Sequence, residues 1–133
     1  MKLISGGVCA AQGFKANGIH CGIRKNHSKK DLALIVSDVP ASAAAVYTTN
    51  LVKGAPLTVT KQNISNGIAQ AVICNSGNAN TCNYNGIEIA NGMCALVEQH
   101  TGIAANDVVV ASTGVIGQVL DLPPIANGME ALV

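Results

Sequence analysis

Aromatic side chains are almost missing: Phe14, Tyr47 and Tyr84 stand alone among 133 residues, and there is no Trp. Three rings cannot build the stacking platforms on which single-stranded nucleic acid lies. Charge is scarce too, at 11% of residues against roughly 25% in an ordinary soluble domain. A formal net charge of +1 leaves no field to gather nucleic acid or anionic lipid. Long apolar runs are absent, since Leu32 to Val36 and Val108 to Ala111 fall far short of the roughly 20 residues of a membrane span. Met1-Lys2-Leu3-Ile4 opens like a leader, but Ser5-Gly6-Gly7 ends the apolar stretch before a secretory core can form. Neither nucleic acid nor membrane is expected as a partner, and the chain reads as cytoplasmic.

Metal and hydrolase signatures are lacking as well. Cys9, Cys21, Cys74, Cys82 and Cys94 make an odd count with no C-x-x-C pair and no His at finger-like spacing, so reduced thiols without metal are expected. A Cys nucleophile beside His20 or His100 stays open. The carboxylates Asp31, Asp38, Asp107, Asp121, Glu88, Glu98 and Glu130 are scattered, which gives no pair for glycosidase-type work. G-x-S-x-G, H-E-x-x-H and a full Walker A sequence do not occur.

What is present is an apolar share of 49%, enough for a buried core, together with 14 Gly and 13 Asn that favour turns. The run from Asp31 to Asp38 is short, apolar and β-branched toward its end, so it predicts a buried strand that Pro40 stops. Before it, Arg24, Lys25, His27, Lys29 and Lys30 form a basic connection, either a solvated turn or a phosphate contact. Ala43 to Asn50 and Ala69 to Cys74 read as further strands. Gly54 to Pro56 and Asn63 to Gly67 read as loops, and Val59 lies in a segment of no clear type. Asn75 to Gly86 is too rich in Asn and Gly for regular structure and predicts a functional loop. Ile89, Met93, Leu96 and Val97 share one helical face, with Asn85 and Gly102 as the caps. Val108 to Ala111 predicts a buried strand that leads into a loop from Ser112 to Gly117. Pro123-Pro124 suit a helix entrance, and Ile125, Met129, Leu132 and Val133 continue its apolar stripe. The stripe is still running at Val133, so residues 1–133 are expected to be the N-terminal part of a longer domain, cut within a helix near residues 124–133.

The segment from Ser112 to Gly117 places two hydroxyls and two glycines after a buried strand. Such a turn can point N–H groups at an anion, either a phosphate or the oxyanion of a tetrahedral intermediate, or it can be a plain connection. A dinucleotide fingerprint would open directly into a helix, and here Leu120 to Pro124 intervene.

Asn75-Ser-Gly-Asn-Ala-Asn80 and Ala111-Ser-Thr-Gly-Val-Ile-Gly117 resemble signature segments of the ArgJ family, the glutamate N-acetyltransferases (ornithine acetyltransferases) of arginine biosynthesis. Gly13-Phe-Lys-Ala16, Gly22-Ile23, the run from Lys29 to Pro40, Val46-Tyr-Thr-Thr-Asn50 and Val52-Lys-Gly-Ala-Pro56 extend the resemblance, in order, over the whole chain. It implies an α/β (α+β) fold of the αββα sandwich type and a precursor that cleaves itself into α and β chains. The β chain would begin with a nucleophilic Thr. That Thr would take acetyl from N-acetylornithine and pass it to glutamate, with no resident cofactor and with acetyl-CoA as co-substrate if the enzyme is bifunctional. By motif match, the Thr113 side chain and the Gly114 N–H would form the oxyanion hole. Asn75 and Asn78 would either contact substrate or tie their loop together. The cleavage context lies downstream of this segment in the family, so the nucleophile is expected outside this chain. The isolated chain would then be inert, and a hetero-oligomer of α and β chains is implied. Two other readings remain: a nucleotide- or phosphate-binding module using residues 112–117, and a non-catalytic interaction domain of the same fold.

Overall fold

Alternation with a period of two sets the strands. Ala71, Ile73 and Asn75 are buried while Val72, Cys74 and Ser76 between them are half-buried. The computed structural model describes residues 3–133 and gathers four strands into one sheet. They are β1 (Phe14–Ile19), β2 (Leu32–Ser42), β3 (Ile68–Asn78) and β4 (Val108–Val115), in that spatial order. β1 and β2 pair antiparallel, as do β2 and β3, whereas β3 and β4 run parallel. A parallel neighbour needs a crossover, and α2 (Gly86–Thr101) supplies it. α1 (Ala55–Asn63) and α3 (Pro123–Leu132) complete the helical layer.

One face of the sheet carries Leu32, Leu34, Ala71, Ile73, Val108 and Val110. Val59 of α1, Met93 and Val97 of α2, and Ile125, Met129 and Leu132 of α3 close over it, all of them buried. Each fully buried side chain of this size contributes about 1.5–3 kcal/mol. On the opposite face Ala33, Ile35, Val72, Cys74, Val109 and Ala111 stay half-buried. The free edge of β4 is sealed by two polar side chains of α1. Thr60 Oγ1 donates to the Val110 carbonyl at 2.8 Å and accepts the Val110 N–H at 3.0 Å. Asn63 Nδ2 donates to the Val108 carbonyl at 2.9 Å.

Several expected elements differ. β1 was not anticipated, because its Lys15, Ala16 and Asn17 are exposed and give no apolar alternation. β2 does not stop at Pro40: the pairing with β3 shifts between Val36 and Ala41, and Pro40 falls in that irregularity, where no ladder N–H is required. Ala43 to Asn50 is not a strand, since it has no pairing partner and Val46 is fully exposed. The segment around Val59, with the expected loop at Gly54 to Pro56, is α1, entered through Pro56. The expected loops at Asn75 and Ser112 begin later, because β3 extends to Asn78 and β4 to Val115. α2 and α3 lie where the apolar stripes placed them, and Gly102 ends α2 in the left-handed conformation. Asn85 precedes α2 without capping it, because its Nδ2 donates to the Leu120 carbonyl instead. Met1 and Lys2, the start of the leader-like stretch, lie outside the described residues. No helix among the described residues is long and apolar enough to cross a membrane.

Candidate active site

The parallel register runs from Ala71 opposite Val108 to Asn78 opposite Val115, which sets Thr113 beside Ser76 and Gly114 beside Gly77. At Gly114 φ is +136°, and a Cβ there would lie 2.3 Å from the Gly77 carbonyl carbon and 2.4 Å from its oxygen. Glycine is therefore obligatory at this position. Thr113 and Gly114 are both exposed, side by side at the end of β4, beyond the stretch that α1 seals.

The same strand ends are overlaid by the connection between β1 and β2. A Cβ on Gly77 would lie 2.7 Å from Ile23 Cγ2 and 3.1 Å from Arg24 Cγ, so this connection rests directly on the β3 backbone. Asp31, 1% exposed, holds it there. Its Oδ1 accepts the Cys21 N–H at 2.7 Å, and its Oδ2 accepts the Arg24 N–H at 2.8 Å. His20 Nδ1 lies 3.2 Å from the same carboxylate. Burial alone would raise the Asp31 carboxyl. The N–H groups of Arg24 and Cys21, the Cys21 thiol and the His20 ring outweigh it and hold the carboxyl below its ordinary range. Arg24 Nε in turn donates to the Ser76 carbonyl. Arg24, Lys25, Asn26, Gly77, Gly114 and Gln118 line an open cleft of about 510 Å³.

Asn75 and Asn78 are buried, and their polar atoms are engaged within the chain. Asn75 Nδ2 donates to Ser112 Oγ at 2.7 Å, and its Oδ1 accepts the Asn78 N–H at 3.2 Å. Asn78 Oδ1 accepts the Asn80 N–H at 2.8 Å, while its Nδ2 donates to the Gln118 carbonyl at 2.9 Å. Asn80 Nδ2 continues the relay to the Gly86 carbonyl at 2.8 Å. Such side-chain-to-backbone bonds satisfy an irregular segment where no ladder reaches. Substrate contact by Asn75 or Asn78 would have to displace one of them. Ser112 is likewise occupied by Asn75, on the face of β4 opposite Thr113.

All five cysteines are free. Burial, and then the Asp31 carboxylate, push the Cys21 thiol up to about 12. Burial pushes Cys94 up to about 11 and raises Cys74. Thiols in such surroundings are poor nucleophiles near neutrality. Among the described residues, no group of three or more His, Cys, Asp or Glu is placed to hold a metal ion. Of the predicted site residues, Thr113 and Gly114 lie exposed at the end of β4, while Asn75 and Asn78 are buried on β3 opposite Ser112 and Val115. The sequence reading missed Asp31 as the anchor of the basic connection. Its signal was an acid placed directly between a basic stretch and an apolar strand.

Comparison with known proteins bears on this arrangement. The sequence model of the ArgJ family matches residues 15–133. The arginine biosynthesis bifunctional protein ArgJ of Bacillus cereus is 48% identical over 134 aligned positions, covering 99% of this chain and 32% of that protein. Its namesake in Listeria monocytogenes is 44% identical, with 99% and 33% covered. The crystal structure of ArgJ from Bacillus halodurans superposes with a TM-score of 0.87 at 47% identity, over 93% of this chain and 65% of that one. Ornithine acetyltransferase from Mycobacterium tuberculosis, crystallised in complex with ornithine, superposes with a TM-score of 0.80 at 35% identity, over 92% and 67%. The chain thus spans about a third of the length of the curated relatives it matches. With the family match running from β1 to the last residue and the same fold in two solved relatives, the chain belongs to the ArgJ family.

Proposed function

We propose that this chain supplies the oxyanion hole of a cytoplasmic acetyltransferase of arginine biosynthesis, which moves acetyl from N-acetylornithine to glutamate. The nucleophile is the N-terminal Thr of a separate β chain formed by self-cleavage, so activity requires the α and β chains together. The Thr hydroxyl attacks the acetyl carbonyl of N-acetylornithine, and its own amine takes the hydroxyl proton. The tetrahedral oxyanion is held by the Thr113 hydroxyl and the Gly114 N–H. Collapse breaks the C–N bond, the stored proton leaves with the ornithine amine, and acetyl-threonine remains. The glutamate amine then attacks this ester, giving a second tetrahedral intermediate at the same donors; its collapse breaks the ester C–O bond, and the amine's proton passes through the Thr amine to the restored Thr hydroxyl. Acetyl-CoA serves, if at all, as a second donor to the same Thr and not as a resident cofactor.

The observation that carries this reading is Gly114, held at a positive φ close against Gly77 on the wall of a cleft, with the exposed Thr113 directly before it in the chain. The relative bound to ornithine supports an ornithine-derived donor. The half-buried apolar face of the sheet supports a second layer from the remaining two-thirds of the protein, which would complete the αββα sandwich.

The test uses the whole natural protein. Intact-mass analysis is expected to find two polypeptides, the second beginning with Thr. Thr113→Ala is expected to lower acetyl transfer by about 10²–10³ while the two polypeptides stay assembled. Undiminished turnover in that variant removes Thr113 from the oxyanion hole.

A further inference from the structure

The segment from Ala43 to Val52, between β2 and α1, has the composition of a strand and none of a strand's bonds. Val46, Tyr47, Thr48 and Thr49 are β-branched or aromatic, and the segment holds no Gly, no Pro and no charge. Its backbone leaves the sheet once the Ala43 N–H has donated to the Gly67 carbonyl at 2.8 Å, and is tied down again where the Ala55 N–H donates to the Asn80 carbonyl at 3.0 Å. Among the described residues, no N–H or carbonyl of residues 44–49 makes a main-chain hydrogen bond. From Ala43 to Asn50 the chain nevertheless runs without a turn or a bend.

The side chains alternate as a strand's do. Tyr47 is half-buried against α1, with Lys61 Nζ 5.9 Å from its ring centroid, and shares a hollow with Leu57 and Thr58. Val46 and Thr48 on either side of it are exposed, Val46 at 99%. α1 thereby holds the segment straight, so that little conformational entropy is left to lose on pairing. An edge that must stay free is ordinarily protected by charge, by proline or by a bulge. This one has neither charge nor proline, and it presents Val46, Leu51 and Val52 to solvent.

We propose that residues 43–50 pair as a β-strand with a strand from the part of the protein that lies outside residues 1–133, with apolar side chains opposite Val46. The chain accounts for 32% of the length of its Bacillus cereus relative, so such a strand has two-thirds of a protein to come from. The segment also starts on the rim of the open sheet face, where Ala41 and Ser42 share a hollow with Ile35 and Val72. A strand paired there is continuous with the layer that covers this face, and one interface serves both. Being made in the same polypeptide, it meets the segment at an effective concentration that a second copy does not reach. The proposal rests on the reading above in one respect, that the rest of the protein covers the open face.

The experiment measures amide hydrogen exchange in the whole natural protein. A second sample, with a benzophenone-bearing amino acid in place of the exposed Val46, is illuminated and digested, and the peptide joined to position 46 is identified by mass. The amides of residues 44–49 are expected to exchange at least about 100-fold more slowly than those of an unstructured peptide. The cross-linked peptide is expected to come from outside residues 1–133. Rapid exchange, the absence of a cross-link, or a cross-link to any peptide within residues 1–133, of the same or another copy, overturns the proposal. Acetyl transfer is assayed on the unmodified sample, so each of those results leaves the enzymatic reading standing. Protection and the expected cross-link without acetyl transfer overturn the enzymatic reading alone.

Discussion

The two faces of the sheet are built from the same strands and nearly the same residue types, yet they meet different fates. Leu34, Ile73 and Val110 are 3%, 0% and 3% exposed beneath the helices. Their neighbours Ile35, Val72 and Val109 are half-buried on the other side. Strands that are apolar on both faces characterise sheets covered on both sides, whereas a solvated face alternates with polar residues. The difference therefore lies in what each face has been given to pack against and not in its chemistry. The low charge, 11% of residues, accompanies this two-sided apolar character.

The comparison can be broken most forcefully on the helical side. Ile73→Ala removes a fully buried side chain at the centre of the sheet and is expected to cost about 2–5 kcal/mol, read as a lowered denaturant midpoint. Val72→Asp, one residue away on the other face, sharpens it. If the rest of the protein covers that face, the whole protein should lose assembly in size-exclusion chromatography while this segment keeps its circular dichroism. Unaltered assembly would mean that the face stays open to solvent. The smallest effect lies at the rim, where Asp31 holds the basic connection against β3. Its carboxyl is held below the ordinary range, so its contribution is complete above about pH 4, the unfolded value, and is lost as pH falls through the folded one. Thermal midpoints measured from pH 6 down to 3 should therefore fall less steeply in Asp31→Asn than in the wild type. Equal slopes would remove Asp31 from that role.

The legible parts of the fold were those whose periodicity is local. α2 and α3 announced themselves through apolar stripes, and the centres of β2, β3 and β4 through short β-branched runs. β1 was illegible because it is an edge strand with exposed Lys15 and Asn17, stabilised by pairing with β2 and not by its own pattern. α1 was hidden because just three of its residues, Pro56, Val59 and Thr60, are buried. Within the site, Thr113 and Gly114 could be singled out from the sequence, but the reason for the glycine could not. That reason is Gly77, far away in sequence and brought alongside by the parallel register. The Asn-rich segment was recognisable as special, while its relay of side-chain-to-backbone bonds, reaching Ser112, Gln118 and Gly86, emerges once the strands are in place.

Thr60 and Asn63 give the molecule a direction of growth. By occupying the Val110 amide and carbonyl and the Val108 carbonyl, they take from the first half of that margin the groups that could recruit a strand from another molecule. Intermolecular β-addition, the first step toward fibrillar aggregates, is thereby disfavoured along that stretch.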